Sequence, residues 1–168
     1  MQNHRSRLAA RALRSTATVI VVAATLLATA GPVASGGAQV TRGEFTPFAD
    51  AEGDELGISG RAQMVRTSSG DTKVVVHVTG LEPGATYGSH VHDEPCDTGN
   101  ANGHYFFAAP VPEGDGPNAD EIWPGPVTAN RGGVASGKTT VGAVAGPEAV
   151  SVVIHRSGGA KIACADLS

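Results

Sequence analysis

Positive charge is scarce in this 168-residue chain, where 12 Lys and Arg stand against 16 Asp and Glu. Four of the twelve, Arg5, Arg7, Arg11 and Arg14, crowd into the first stretch with no acid beside them. From residue 39 onward the balance is therefore 8 − 16 = −8. That sign argues against nucleic acid or an anionic membrane surface as a partner. Cysteine is limited to Cys96 and Cys164, so only one disulfide pairing exists. No apolar run reaches the ~20 residues that a membrane-spanning helix needs. Beyond residue 38 there is no long helical pattern, no internal repeat and no domain linker.

What is present at the start reads as a secretory signal peptide over residues 1–38. The arginines form a positive n-region, Thr16 to Ala30 is an apolar h-region, and Ala28-Thr29-Ala30 or Val33-Ala34-Ser35 offers a small-residue cleavage site. A retained membrane anchor is the competing reading, and the short apolar run argues against it. No arginine pair precedes the run, against a twin-arginine signal. No cysteine lies near the cleavage region to carry a lipid. The expected location is secreted or extracytoplasmic, in a periplasm or cell envelope. There an even cysteine count implies a Cys96–Cys164 disulfide rather than two free thiols.

The remaining ~130 residues are one domain's worth. They divide into an N-terminal lead-in segment, 39–54, and a domain, 55–168. Strand and turn signals recur throughout, so the expected class is all-β. Glu44 to Phe48 reads as a short strand, placed at a sheet edge by Pro47. Leu56, Ile58 and Met64 are expected to point inward. Val74, Val76 and Val78 share one face of the clearest strand, which leaves His77 outward and without a role. Val127 to Val141, around Asn130-Arg131-Gly132-Gly133, reads as a hairpin. Ala149 to His155 and Lys161 to Cys164 read as further strands. Between Asp93 and Pro126 regular patterning stops. Tyr105, Phe106, Phe107 and Trp123 fall in that stretch, and their presence predicts an ordered loop packed on itself.

The chemistry lies in the histidines. His90-Val91-His92 sits on an extended segment, and residues i and i+2 of a strand project from one face. Taken alone, this spacing fits a pair of exposed surface histidines at least as well as a metal site. His104 follows Cys96 in the long loop, and His155 ends a buried strand just before Cys164. A Cys96–Cys164 staple would draw the four together. Imidazole suits zinc, copper, iron and nickel, and four neutral nitrogens in a roughly planar arrangement favour Cu(II).

These residues, in the order His90-Val91-His92, Cys96, Gly103-His104, His155 and Ala163-Cys164, resemble the copper/zinc superoxide dismutase family. The likeness extends over residues 55–168. It takes in the Gly80-Leu81-x-Pro83-Gly84 turn and Val127-Thr128-Ala129-x-x-Gly132-Gly133-Val134-Ala135. It implies a Greek-key β-sandwich or flattened barrel, immunoglobulin-like in architecture, with a long metal-site loop. It implies His90, His92, His104 and His155 as the ligands of one copper per chain, and Cys96–Cys164 as the intradomain disulfide. It implies superoxide as the substrate, and it leaves room for a homodimer without requiring one.

The chain departs from the family in three ways. The ligand matching His104 bridges to zinc in the family, but no histidine occurs from Tyr105 to Pro126, so no zinc is expected. Only residues 156–163 separate His155 from Cys164, so the metal should be more open. The family's anion-guiding arginine is matched by Lys161, with Arg156 as a second candidate for the cationic funnel. Together these departures resemble the copper-only branch. The expected function is a secreted superoxide dismutase, with a non-catalytic copper-binding or carrier protein of the same fold as the alternative. In the zinc enzymes the residue matching His104 leaves copper on reduction and takes up a proton. Without zinc, a carboxylate must orient that ring. The candidates are Glu113, Asp115, Asp120 and Glu121.

Overall fold

Alternation of side chains builds the architecture. In β3 (Thr72–Thr79) the even-numbered residues Thr72, Val74, Val76 and Val78 are buried, while Lys73, Val75 and His77 face solvent. The computed structural model describes residues 37–49, 51, 55, 57–108 and 120–168. Nearly all of the expected signal peptide, Leu56, Glu113 and Asp115 lie outside them. All eight elements among the described residues are strands. Besides β3 they are β1 (Gln39–Pro47), β2 (Ser59–Arg66), β4 (Thr86–His92), β5 (Val127–Thr128), β6 (Ala135–Val141), β7 (Ser151–His155) and β8 (Lys161–Asp166).

The strands run β5-β4-β7-β8-β1-β2-β3-β6, with every paired neighbour antiparallel. β5 and β6, at the two ends of this order, lie beside each other without a ladder, so the sheet is a nearly closed, flattened barrel. Around it, β4, β5 and β6 are consecutive and β3 lies beside β6, which is a Greek-key arrangement. Gly137 permits the close approach at the seam: a Cβ there would overlap Pro124 O and Val127 Cγ1. The core inside holds Ile58, Met64, Val74, Val76, Val78, Tyr87, Val91, Val152, Ile154 and Ile162. Each such large side chain contributes about 1.5–3 kcal/mol by leaving water.

Two expectations from the sequence are corrected. Residues 39–47 form a nine-residue strand rather than a short edge strand, and β1 lies between β2 and β8. Pro47 is tolerated because it closes the strand, opposite Ala163. Val127 to Val141 is not a hairpin. The turn itself forms, with Asn130 Oδ1 accepting from Gly132 N and Val134 N. Its two arms then pair elsewhere: β5 with β4, and β6 with β3. Pro124 and Pro126 lack the N–H groups that a longer β5 would need.

The outer face of β4, β7 and β8 positions the site. Register places His90 opposite Val153, His92 opposite Ser151, and Gly88 opposite His155. These residues point away from the barrel core, yet all five residues of β7 are buried. The segment after β4 covers them. Cys96 is bonded to Cys164 of β8, and Ala101 packs with Phe48, Val153 and Cys164 under the cover. Cys96 N–H also donates to Asp166 Oδ1 at 2.8 Å.

The bridge closes a long loop, its cysteines 68 positions apart in the sequence. Replacing both cysteines by serine should therefore lower stability by about 4 kcal/mol. Urea unfolding of the metal-free protein measures this, and a loss below ~1 kcal/mol would show that the cover is held without the bridge.

Candidate metal centre

The loop reaches the histidines by using the edge of β4 that β5 leaves unpaired. Ser89 O accepts from Gly125 N, Val91 N donates to Ile122 O, and Val91 O accepts from Tyr105 N. Two arms of the loop, around 103–107 and 120–125, are thereby laid along β4. A further bond, Phe107 N to Asp120 O at 2.8 Å, ties the arms to each other. His104 arrives beside His92 as a bridge pair. Under this cover, His90 is 3% exposed, His92 0%, His104 9% and His155 6%. The H-x-H pair is thus on an outer strand face, as a surface pair would be, but it is not on the surface.

One ring nitrogen from each of the four histidines lies within 4.8 Å of the others. Hydrogen bonds decide which nitrogens converge. His92 Nδ1–H donates to Ala101 O at 3.1 Å, and His155 Nδ1–H donates to Gly159 O at 2.9 Å. A carbonyl only accepts, so each Nδ1 carries the proton and each Nε2 keeps its lone pair. His104 Nδ1 lies 2.7 Å from Glu121 Oε1, which turns its Nε2 the other way. His90 differs, because its Nδ1 is buried with no hydrogen-bond partner among the described residues.

The residues fit a metal ion. His92 Nε2 and His155 Nε2 stand 3.2 Å apart, lone pair to lone pair. Such an approach is met by a bound cation or by a shared proton. Metal–imidazole bonds of about 2.0–2.1 Å put neighbouring ligand nitrogens roughly 2.9–3.4 Å apart. Protons are poor substitutes here. Burial first, then neighbouring His155 and the other rings, with Lys161, hold His90 well below the usual imidazole range. Burial, then His155, Lys161 and His104, push His92 down to about 2, against an opposing contribution from its bond to Ala101. Four buried histidines, with one ring nitrogen of each in this small space, lie close enough to bind a metal ion.

Lys161 is at this centre, and the rings above feel its charge. Its Nζ donates to Asn100 O at 2.8 Å and to Asn102 O. The carbonyl between these two is the acceptor for His92. Gly99, Asn100, Ala101 and Asn102 have φ of 54°, 53°, 62° and 47°, a left-handed turn that costs a non-glycine residue about 1–2 kcal/mol. The turn aims three successive carbonyls, two at the cation and one at a ligand.

Arg156, the second candidate for the cationic funnel, has a partner of its own. Its guanidinium pairs with Glu55, and residues of β4 and the turn before it line the same shallow cavity of about 420 Å³. Since His155 points to the centre, the next residue along the chain turns elsewhere. His77 faces outward, as expected, and is bonded to Ser136.

Among the four acids considered for His104, Glu121 makes the bond. It is buried, and its second oxygen, Oε2, accepts from Trp123 Nε1. Trp123, expected only to order the loop, lies against the cluster, 4.6 Å from His90 between ring centroids. Tyr105 enters the main core instead of packing only within the loop. A Glu-x-Trp pair on an extended arm was the available sign that both side chains face one side. No protein-family model matches this sequence, and no curated protein matches it.

Metal-free protein should lose stability as pH falls below 6.5. In the folded state His90 and His92 stay neutral, whereas in the unfolded chain they take up protons near the ordinary imidazole pKa of 6.5. Their stabilisation is complete above that pH and declines below it, by about 1.4 kcal/mol per pH unit for each ring. Urea unfolding between pH 8 and pH 5 measures the slope. Equal stability at pH 7 and pH 5.5 would contradict buried neutral rings.

Proposed function

We propose that this chain is an extracytoplasmic copper protein of the copper/zinc superoxide dismutase family, of the copper-only kind. In this reading it converts superoxide to oxygen and hydrogen peroxide. The observation that carries the proposal is the set of four buried histidine nitrogens within 4.8 Å of one another, next to a fixed lysine ammonium. An all-imidazole donor set with no free thiolate suits copper. The flattened Greek-key barrel and the Cys96–Cys164 bridge agree with the family, and a disulfide is typical of extracellular proteins.

His90 through Nδ1, and His92, His104 and His155 through Nε2, are the ligands. Bound there, copper would supply one-electron chemistry: one superoxide is oxidised to oxygen, and a second is reduced, with two protons, to hydrogen peroxide. The chain's own residues supply binding and protons. Lys161, held by two carbonyls, attracts the small anion and fixes where it approaches. When Nε2 is not engaged as a ligand, His104 could hold a proton there, while Glu121 keeps its Nδ1–H and its orientation unchanged. Glu121 thereby serves the nitrogen that the family turns toward zinc, and the proposed centre holds copper alone.

The carrier reading draws on one observation: Arg156 is engaged by Glu55, which leaves Lys161 as the cation acting on the cluster. Metal analysis and superoxide consumption separate the two. The dismutase should hold one copper and no zinc per chain. Its rate should fall with added salt, and Lys161→Gln should lower that rate about 10-fold and flatten the salt dependence. A copper-loaded chain without superoxide consumption would be a carrier, and a full zinc complement would contradict the copper-only assignment.

A further inference from the structure

We propose that Trp123 is a positioning residue of the metal centre, acting on His104 through Glu121 and on His90 by ring contact. The inference rests on the four-histidine metal site and not on the reaction proposed for it. Glu121 and Trp123 are two residues apart on the extended arm that docks along β4 at Val91. Their side chains therefore lie on one side of the backbone. Glu121 gives Oε1 to His104 Nδ1 and Oε2 to the indole N–H.

The terminal torsion of a glutamate is broad, so a single bond at one oxygen leaves the carboxylate plane free to turn. A second donor at the other oxygen fixes that plane. The direction in which His104 presents Nε2 is then set by the indole as well as by the carboxylate.

His90 gives the second half of the argument. His92, His104 and His155 are each oriented by a bond at the nitrogen behind the ligand atom, but His90, which offers Nδ1, makes no hydrogen bond at its other nitrogen among the described residues. Packing must orient this ring. The rings against it are His92, His104, His155 and Trp123, the last tilted by 48°. Trp123 alone of these is not a ligand, so it is the wall that persists whatever the metal does. It also stands edge-on to His104, with centroids 5.8 Å apart. One indole thus touches the carboxylate behind one ligand and the face of another.

The chain has a single tryptophan, so its indole signals are unambiguous. In metal-free protein, NMR should show one indole N–H that exchanges with water at least 10-fold more slowly than the same proton in Glu121→Gln. Equal exchange in the two would overturn the Trp123–Glu121 bond. Copper(II) titration of Trp123→Phe should then show an affinity about 10-fold below the parent chain, with an altered Cu(II) electron paramagnetic resonance spectrum. Phenylalanine keeps a ring but no donor, and a merely structural role would leave the spectrum unchanged. Parental affinity and spectrum in Trp123→Phe would sink the role of Trp123 while leaving the metal site standing. A parent chain that takes up no stoichiometric copper would sink both. Should Trp123→Phe fail to fold, the exchange comparison still decides.

Discussion

The hydrogen bond at the far nitrogen of three of the four imidazoles is the interaction on which the rest of the centre depends. A neutral imidazole has one donor and one acceptor, and the bond it makes behind itself decides which faces forward. Ala101 O, Gly159 O and Glu121 make that decision for His92, His155 and His104. These acceptors come from three separated places: the left-handed turn after Cys96, the β7–β8 turn, and the far arm of the loop. The barrel sets where each histidine starts, and the loops set which nitrogen it offers. A loop displaced by 1 Å would leave every ligand present and the donor set wrong.

Gathering neutral rings under a cover requires that the cover be held from several sides. Its near end is bonded to β8 through Cys96–Cys164 and to Asp166. Both of its arms run along the free edge of β4. Between these anchors, Asn100, Ala101 and Asn102 persist in a conformation that a free peptide would leave. Ala101 is fully buried against Phe48, Val153 and the bridge, and the carbonyls of 100–102 all have donors. Burial and hydrogen bonding offset a strain of a few kcal/mol. The strained residues are the ones that aim groups into the centre, and this links the disulfide to the site more directly than through overall stability.

Much of this was legible in the residues. Alternation in Val74, Val76 and Val78 reports a sheet with one apolar face, and the four histidines and the cysteine pair can be picked out without a structure. The burial of His90 and His92 cannot, because alternation fixes the face on which a side chain lies and not what covers that face. The Val127–Val141 segment misleads for a related reason. A turn sequence such as Asn130 to Gly133 specifies a local reversal, whereas the partners of the two arms are chosen by the whole barrel. Among the acids, Glu121 differs from Asp120 only in which side of an extended arm it occupies, and that register is set by bonds to Val91 and Phe107. Arg156 has charge and proximity in sequence to His155, but strand alternation sends it to Glu55.

The electrostatics of the centre follow from these placements more than from composition. A net charge of −8 beyond residue 38 would repel a small anion, yet charges farther away than about 10 Å are largely screened at physiological ionic strength. Close to the cluster, Lys161 is a positive group whose charge reaches His90 and His92. Lysine usually waves on a flexible stem, but two carbonyls hold this ammonium, so its field has a fixed origin. Glu121 is bonded to the nitrogen of His104 that points away from the other three rings, and Trp123 takes its second oxygen. The negative group thus orients a ligand from behind, where its charge opposes the approach of an anion least. A carboxylate of the same strength on the open side would cancel Lys161. Under the proposed function, a carboxylate placed behind a ligand and an ammonium beside the cluster would keep the negative group away from an approaching anion.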